Sequence, residues 1–375
     1  MKMTAVSTYA PLVTLSEKQQ TISYQEIYPE QRSEPTFANP NVQEEIRPQL
    51  GRATQRALLL KAAREQAFNF GIPSLPWVNG RDLAGVVVKA DRSSRVQEGD
   101  IVLVPSTDYR DIRKAAFQEY AIATHFNAAR IPPTQSIHAS ASLGVAYVAS
   151  ALALGVSLGL DFSHASACPG PDLTEVVRQL DTDTIPADIR DELTHLASTT
   201  TGYITLQLAK LAGLKVICVA DIARHGARLV DLGADALVDR HDTQRAVDII
   251  KGLTKGKLRY AIDIVGKDTA TLLQQTLDDA VREDGSHAHL LGLTGLPKDR
   301  GSNVIYHTVP IKLFHTSPQV GERMVSWLED LLHSGALQLP EIIRTDGGLG
   351  NVNASLELLR QGTASGKRIV VDLAG

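Results

Sequence analysis

The residues best suited to chemistry stand between positions 199 and 221. A turn of small residues opens this stretch, namely Thr199, Thr200, Thr201 and Gly202. An amphipathic run to residue 211 and an apolar run at 215–220 follow, and the second run ends at Asp221. This order predicts a helix and a buried strand, the αβ half of a dinucleotide-binding βαβ unit. The start of such a helix favours a phosphate, to which the threonine hydroxyls can donate hydrogen bonds; alternatively, they only cap the helix.

Asp221 and the residues after it bear on the choice of dinucleotide. A carboxylate at the end of this strand can accept a hydrogen bond from a ribose 2′-hydroxyl, which suits NAD. Arg224 and His225 follow closely and could pair with a 2′-phosphate instead, which suits NADP. As a third possibility, Asp221 only caps the next helix. The residues alone leave these three interpretations open.

The residues before the turn do not complete the unit. A βαβ unit needs an apolar strand there, but residues 185–198 are charged and have a helical pattern. In the sheet order 3-2-1-4-5-6 the missing strand is central, so the strands at 215–220 and 260–265 would lose their shared partner and keep open edges. No other run at 161–198 is apolar and β-branched, since Val176 and Val177 fall in a helical pattern.

The elements around this unit divide the chain into two kinds of pattern. Before residue 160 it is β-rich, with strands expected at 21–27, 83–89, 101–104, 115–123 and 128–132, a helix at 57–70 and a loop at 31–49. After residue 202, helices at 223–232, 243–251, 270–281, 325–332 and 351–359 alternate with strands at 215–220, 236–238, 260–265, 288–293, 304–314 and 368–371. Such alternation predicts a doubly wound parallel α/β sheet.

Length and composition exclude several classes of protein. The 375 residues suffice for two domains, and a net charge of -4 with scattered basic residues argues against a nucleic-acid or anionic-membrane partner. With only Cys168 and Cys218, neither a disulfide framework nor a four-cysteine zinc site is expected. The uncharged stretch 131–160 holds prolines and many small residues, so we expect a buried helix there rather than a membrane span. No secretory signal is recognised, and we expect a cytoplasmic protein.

Six short segments resemble, in order, motifs of the medium-chain dehydrogenase/reductase superfamily. They are Gly-Arg-Asp-Leu-Ala-Gly-Val-Val at 80–87 and the segments 98–102, 117–120, 143–147, 233–239 and 260–266. The resemblance covers residues 76–160 and 199–372. It implies a GroES-like β-rich domain over 1–160 to which 335–375 return, a Rossmann-like cofactor domain over 199–334, and an atypical insert at 161–198. The first Rossmann strand and its Gly-rich turn would be missing or altered.

Within the superfamily the chain most resembles the zinc-free quinone oxidoreductase and enoyl reductase branch, especially fungal dehydrogenase-like proteins of secondary metabolism. In the zinc alcohol dehydrogenases a histidine that ligates zinc follows the first glycine of the 80–87 turn. Arg81 stands there instead and no cysteine precedes Cys168, so no zinc is expected. The resemblance implies hydride transfer between NAD(P)H, with NADP(H) favoured, and a small enone, enoyl or carbonyl substrate.

The same resemblance assigns further roles. Gly292, Leu293 and Thr294 would lie against the nicotinamide carboxamide, and Tyr147 would face the region between the domains as an acid/base candidate, with core packing as its alternative. The strand at 304–314 resembles the one that pairs across family dimers, so a homodimer is possible. An opposing hypothesis is a degenerate, non-catalytic member that binds cofactor weakly or not at all and serves as an interaction protein; a sequence missing a stretch of the gene would give the same pattern.

Overall fold

The computed structural model describes residues 77–180 and 199–373, except residues 93, 107, 109, 279, 281–284 and 365, together with three strands at 3–7, 23–27 and 57–62. The predicted loop at 31–49 and the helix-like segment at 185–198 lie outside the described residues.

Strands and helices succeed one another along the chain as follows. The strands are β1 (Met3–Ser7), β2 (Ser23–Ile27), β3 (Ala57–Ala62), β4 (Trp77–Val78), β5 (Asp82–Val86), β6 (Ile101–Val104), β7 (Ala129–Arg130), β8 (Ile217–Ala220), β9 (Ala236–Asp239), β10 (Tyr260–Asp263), β11 (Ala288–Gly292), β12 (Val304–His307), β13 (Ile342–Thr345) and β14 (Arg368–Asp372). The α-helices are α1 (Ile137–Ala141), α2 (Gly144–Leu152), α3 (Leu173–Arg178), α4 (Thr199–Leu211), α5 (Ile222–Asp231), α6 (Thr243–Thr254), α7 (Lys267–Gln274), α8 (Lys312–Thr316), α9 (Pro318–Ser334) and α10 (Val352–Arg360).

The β-rich part is built on a six-stranded sheet with the order β13-β14-β1-β5-β6-β7. Only the β13–β14 pair is parallel, and strands from both ends of the chain lie side by side in this sheet. Its inward face is apolar, with Leu83, Val102 and Val371 each at most 1% exposed. Burial of this face holds the start of β5 and the end of β6 in fixed positions. Arg81 stands just before β5 and Ser106 just after β6, so the sheet also fixes the positions of these two residues.

Two predictions for this region were wrong, and one strand was not predicted at all. Residues 57–62 form a strand rather than part of a helix, because pairing with β2 and β4 satisfies their backbone groups and outweighs the helix propensity of leucine and alanine. Residues 115–123 form no strand. Isolated backbone hydrogen bonds, such as that from the Phe117 N–H to the Asn79 carbonyl, connect them to the β4–β5 turn. The strand β13 was not predicted, since its four residues carry too little periodicity.

The parallel part of the fold consists of two separate sheets. Strands β8 and β9 form one, and β10, β11 and β12 form the other. No strand within the described ranges joins β8 to β10, and Val219 on β8 and Tyr260 on β10 are 44% and 47% exposed. The predicted strand at 304–314 ends at residue 307, because Pro310 has no N–H to donate and α8 begins two residues later.

A shared apolar core joins the two parts. Helix α2, buried along its whole length, packs against α4, with the Ser150 hydroxyl 2.8 Å from that of Thr205. Trp327 of α9 packs on Phe162, with ring centroids 4.6 Å apart. The prediction of a buried helix inside 131–160 is confirmed. None of the helices in the described parts of the chain is long and apolar enough to cross a membrane.

Candidate active site

Asp221 follows the carboxyl end of β8 and its carboxylate is already engaged. One oxygen accepts a hydrogen bond from the Arg224 backbone N–H at 3.2 Å, which caps α5. The other oxygen lies 3.5 Å from Arg224 Nε and 3.5 Å from His241 Nε2. With the residue only 7% exposed, Asp221 occupies the position that the capping interpretation predicted.

The threonine turn at the start of α4 is packed against the rest of the protein. Thr200 and Thr201 are each 4% exposed, and the Ser150 hydroxyl donates to the Thr201 carbonyl at 3.3 Å. A Cβ atom on Gly202 would lie 2.9 Å from Ile264 Cδ1, so glycine allows the helix to approach the end of β10 closely. The first N–H groups of a helix have no partner within it, so the backbone of this turn, more than its buried side chains, is suited to a phosphate.

A cavity of about 140 Å³ lies beside α4 and α5. It is lined by Tyr203, Ile204 and Gln207 from α4, by Arg224, His225, Arg228 and Leu232 from or next to α5, and by Gln338, Leu339, Pro340, Glu341, Gly366 and Lys367. Arg224, Arg228 and Lys367 carry positive charges, and Glu341 carries a negative one. The structure therefore brings the predicted phosphate ligands Arg224 and His225 together with two basic residues that sequence reasoning missed, Arg228 and Lys367.

Hydrogen bonds hold the lining of this cavity in place. The Tyr203 hydroxyl lies 2.9 Å from His225 Nδ1, and burial lowers the pKa of His225, which the nearby Asp221 charge partly offsets. Arg228 donates to the Gln338 side-chain oxygen at 3.0 Å. Lys367 Nζ lies 3.3 Å from a carboxylate oxygen of Glu341. The cavity is thus a preorganised polar site with an excess of positive charge.

Gly292, Leu293 and Thr294 lie at the carboxyl end of β11, as predicted. The Leu293 N–H donates to the Asp263 carbonyl at 2.8 Å, which ties this end to β10. A Cβ atom on Gly292 would lie only 2.3 Å from the Gly295 carbonyl oxygen, so the backbone turns back on itself here. This end of a parallel strand is where open α/β sheets bind their ligands.

Tyr147 is a core residue. It is fully buried, its hydroxyl donates to the Met324 carbonyl at 2.8 Å, and its ring lies 6.3 Å from that of Trp327. Burial raises its pKa well above the usual value. Because the tyrosine is fully buried and its proton is donated to a helix carbonyl, the structure supports the core-packing alternative over an acid/base role.

A buried polar cluster that sequence reasoning did not assemble lies between the two parts of the fold. Arg81 Nη2 donates to the Ser106 hydroxyl oxygen at 3.0 Å, and the same oxygen lies 3.3 Å from His315 Nε2. Arg81 stands before β5, Ser106 follows β6, and His315 lies in α8 after β12. All three are at most 7% exposed. Of the three, only Arg81 was identified from the sequence, as the residue at the position of a zinc ligand, because the residues are far apart in the chain and no local pattern joins them.

Charged groups surround this cluster. Burial lowers the pKa of His315 to about 3, with the Arg81 charge in the same direction and the Asp108 charge opposing it. Asp108 forms an ion pair with Arg110 at 2.9 Å. Among the described residues, no three histidine, cysteine, aspartate or glutamate side chains come together as metal ligands would.

Comparison with known proteins gives consistent matches. Residues 200–309 match the family described as zinc-binding dehydrogenase. The chain is 28% identical over 340 residues to a trans-enoyl reductase of Botryotinia fuckeliana, covering 80% of this chain and 85% of the relative, and 28% identical over 317 residues to a trans-enoyl reductase of Gibberella fujikuroi, covering 79% and 83%. Among solved structures, it is similar to the Escherichia coli quinone oxidoreductase complexed with NADPH, with a TM-score of 0.57 and 17% identity over 81% of this chain and 84% of that one.

Proposed function

Because the chain belongs to the medium-chain dehydrogenase/reductase superfamily, we propose that it is an NADPH-dependent enoyl reductase of fungal secondary-metabolism type that works without zinc. The observation that carries the proposal is the basic cavity beside α4 and α5, together with a similarity to a trans-enoyl reductase that covers 80% of this chain. The two curated relatives described above are trans-enoyl reductases, and the cavity suits the phosphate that distinguishes NADPH from NADH.

The residues around the cavity fit a phosphate in size, charge and chemistry. A volume of about 140 Å³ holds a phosphate and part of a ribose but not a whole dinucleotide. Arg224, Arg228 and Lys367 would supply charge-assisted hydrogen bonds to its oxygens, and His225 a further donor or acceptor. Asp221 has its oxygens engaged by the α5 cap and by two cationic side chains, which favours a 2′-phosphate over a free ribose hydroxyl as the neighbour.

The other parts of the cofactor would be held by backbone. The N–H groups at the Thr199–Gly202 turn suit the pyrophosphate, and the chain at Gly292–Thr294 suits the nicotinamide carboxamide. When bound, NADPH supplies a hydride to the β-carbon of the unsaturated substrate. The protein's contribution is to orient the ring and the substrate at the carboxyl ends of β10–β12 and to keep water away.

Zinc independence rests on the ligand chemistry of the chain. Arg81, at the position of a zinc-binding histidine in the related alcohol dehydrogenases, has hydrogen-bond donors only and cannot ligate a metal.

We also propose a domain organisation in which residues 1–160 with 335–375 act as the GroES-like domain, 199–334 act as the cofactor domain, and 161–198 form an insert. We propose further that the chain forms a homodimer along β12, whose Ile305 is 42% exposed.

A cofactor titration tests the proposal. NADPH and NADH are titrated into the full chain and binding is followed by quenching of tryptophan fluorescence. Arg228→Gln should weaken NADPH binding about tenfold to a hundredfold, the value of one or two charge-assisted contacts, and leave NADH binding unchanged. Arg245→Gln, on the exposed face of α6, is the matched control and should change neither constant.

An activity assay completes the test: reduction of a short trans-2-enoyl thioester is followed by the oxidation of NADPH at 340 nm. A folded chain that binds neither cofactor would favour the non-catalytic, degenerate family member instead. Equal weakening of NADPH and NADH by Arg228→Gln would mean that the cavity does not hold the 2′-phosphate.

A further inference from the structure

The Arg81–Ser106–His315 chain of contacts dictates which nitrogen of His315 carries the proton. Arginine has donors only, so the Ser106 oxygen is the acceptor in its 3.0 Å contact with Arg81. The Ser106 hydroxyl can then donate to His315 Nε2, 3.3 Å away, and no other partner of this hydroxyl occurs among the described residues. The reverse arrangement would leave two groups unpartnered among the described residues, the serine proton and the lone pair on His315 Nδ1, which is more costly.

The neutral imidazole is therefore favoured with its proton on Nδ1, an arrangement that leaves only this N–H unpartnered in the described cluster. That atom is buried and has no hydrogen-bond partner in the described parts of the chain. Burial and the charges of Arg81, Arg110 and Lys114 disfavour a second proton on the ring, while Asp108 opposes them, so His315 remains neutral at physiological pH. A buried, unpartnered N–H donor is energetically unfavourable unless something else supplies the acceptor.

The position of this donor indicates what that acceptor is. Helix α8 follows β12 and so lies beyond the carboxyl end of the parallel sheet, where α/β folds bind ligands. The Asn127 amide donates to the Phe314 carbonyl at 2.6 Å, which fixes α8 against the β-rich part. The donor thus lies at the junction of the two parts, held rigidly from both sides.

We propose that the Nδ1–H of His315 binds the carbonyl oxygen of the α,β-unsaturated substrate and stabilises the negative charge that develops on it. This inference rests on the proposed reductase function. Addition of hydride to the β-carbon moves the C=C electron pair towards the carbonyl, so an enolate oxygen forms while NADPH is oxidised to NADP⁺. A proton from solvent then adds to the α-carbon. His315 is the catalytic donor, and Ser106 and Arg81 are positioning residues that fix its tautomer.

A pair of variants isolates the Nδ1 donor. Asparagine places its amide nitrogen near the position of Nδ1, whereas glutamine places its amide near Nε2 and offers no donor at Nδ1. With NADPH and trans-2-butenoyl N-acetylcysteamine thioester as substrate, His315→Gln should lower kcat about a hundredfold, as the loss of one oxyanion donor does elsewhere. His315→Asn should retain at least ten times more activity than His315→Gln. Both variants should keep the wild-type Kd for NADPH, and a cooperative thermal transition of each variant well above the assay temperature shows that the folded protein is being compared.

A spectroscopic readout tests the tautomer without turnover. In ¹⁵N–¹H spectra of the labelled chain, the His315 signals, assigned by their loss in His315→Asn, should show a protonated Nδ1 and an unprotonated Nε2 from pH 5 to pH 8. Ser106→Ala should increase the share of the other tautomer and lower kcat without a change in KM.

The outcomes separate this inference from the function on which it rests. A protonated Nε2 in the wild type, or full kcat in His315→Gln, would overturn the role of His315 while reduction of the thioester continued. A folded wild-type chain that does not oxidise NADPH with the thioester would overturn the reductase function and the inference together.

Discussion

Replacing Asp82 with asparagine should change how the stability of the protein depends on pH. Asp82 is fully buried at the start of β5, where its Oδ1 accepts hydrogen bonds from the Val145 N–H at 2.7 Å and the Ser106 N–H at 3.1 Å. Its other oxygen has no hydrogen-bond partner among the described residues. Burial raises the pKa of Asp82 to about 6, although the charges of Arg368 and Arg81 act in the opposite direction.

The sign of the effect follows from proton linkage. Between pH 3.8 and about 6 the folded protein keeps a proton on Asp82 that the unfolded chain has released. Stability therefore falls as the pH rises through this window. A pKa that rises from 3.8 to about 6 corresponds to about 3 kcal/mol, at about 1.4 kcal/mol per unit. Because the unfolded chain has already released part of its proton at pH 4, the free energy of unfolding of Asp82→Asn, minus that of the wild type, should increase by about 2 kcal/mol between pH 4 and pH 7.

The assay is urea unfolding followed by tryptophan fluorescence at pH 4, 5, 6 and 7. The difference between variant and wild type cancels the contribution of every other titrating group. Asp346→Asn is the matched control, because its side chain is 80% exposed and loses little solvation on folding. A difference for Asp82→Asn that stays constant or decreases with pH would show that the attraction of Arg368 outweighs burial, and would refute the reasoning.

Two further substitutions test the packing around the site. Gly144→Ala should lower the free energy of unfolding by about 3 kcal/mol or more, because Gly144 has a φ of +40° and a Cβ atom would lie 2.1 Å from Asp82 Cγ. Gly252→Ala is the control: a Cβ atom there would meet no heavy atom within 4 Å, so the variant should stabilise α6 by about 0.5–1 kcal/mol in the same urea titration. Tyr147→Phe should cost about 1 kcal/mol for the lost bond to the Met324 carbonyl and leave kcat unchanged. A large loss of kcat in a stable Tyr147→Phe protein would restore a catalytic role for the tyrosine.

Part of the candidate site was readable from local sequence because the relevant groups are close together in the chain. The small-residue turn at 199–202, the acid after β8 and the basic residues at 224 and 225 fall within one αβ unit, so helix and strand periodicity bring them to the same edge. Arg228 and Lys367 meet in one cavity although 139 positions separate them. That contact depends on how the C-terminal strands return, which no local pattern encodes.

The same distinction explains which elements were predicted correctly. Helices α5 and α6 have strong apolar faces, and their burial depends on one neighbouring sheet, so periodicity sufficed. Strand β3 and the end of β12 were misassigned because pairing partners far along the chain, or a proline, decided their backbone conformation. Short strands such as β13 obtain their stability from pairing rather than from their own residues.

The amino-acid sequence by itself determined the alternation of helices and strands, the absence of a histidine at position 81, and the groups at the start of α4 and α5 that we propose as phosphate ligands. Each of these depends on residue type and short-range spacing. Only the tertiary structure decided that Asp221 caps a helix, that Tyr147 lies in the core, and that Arg81, Ser106 and His315 form one buried chain of contacts. The physical reason is that hydrogen-bond partners and burial arise between elements distant in the chain, and these alone set a side chain's protonation state and role.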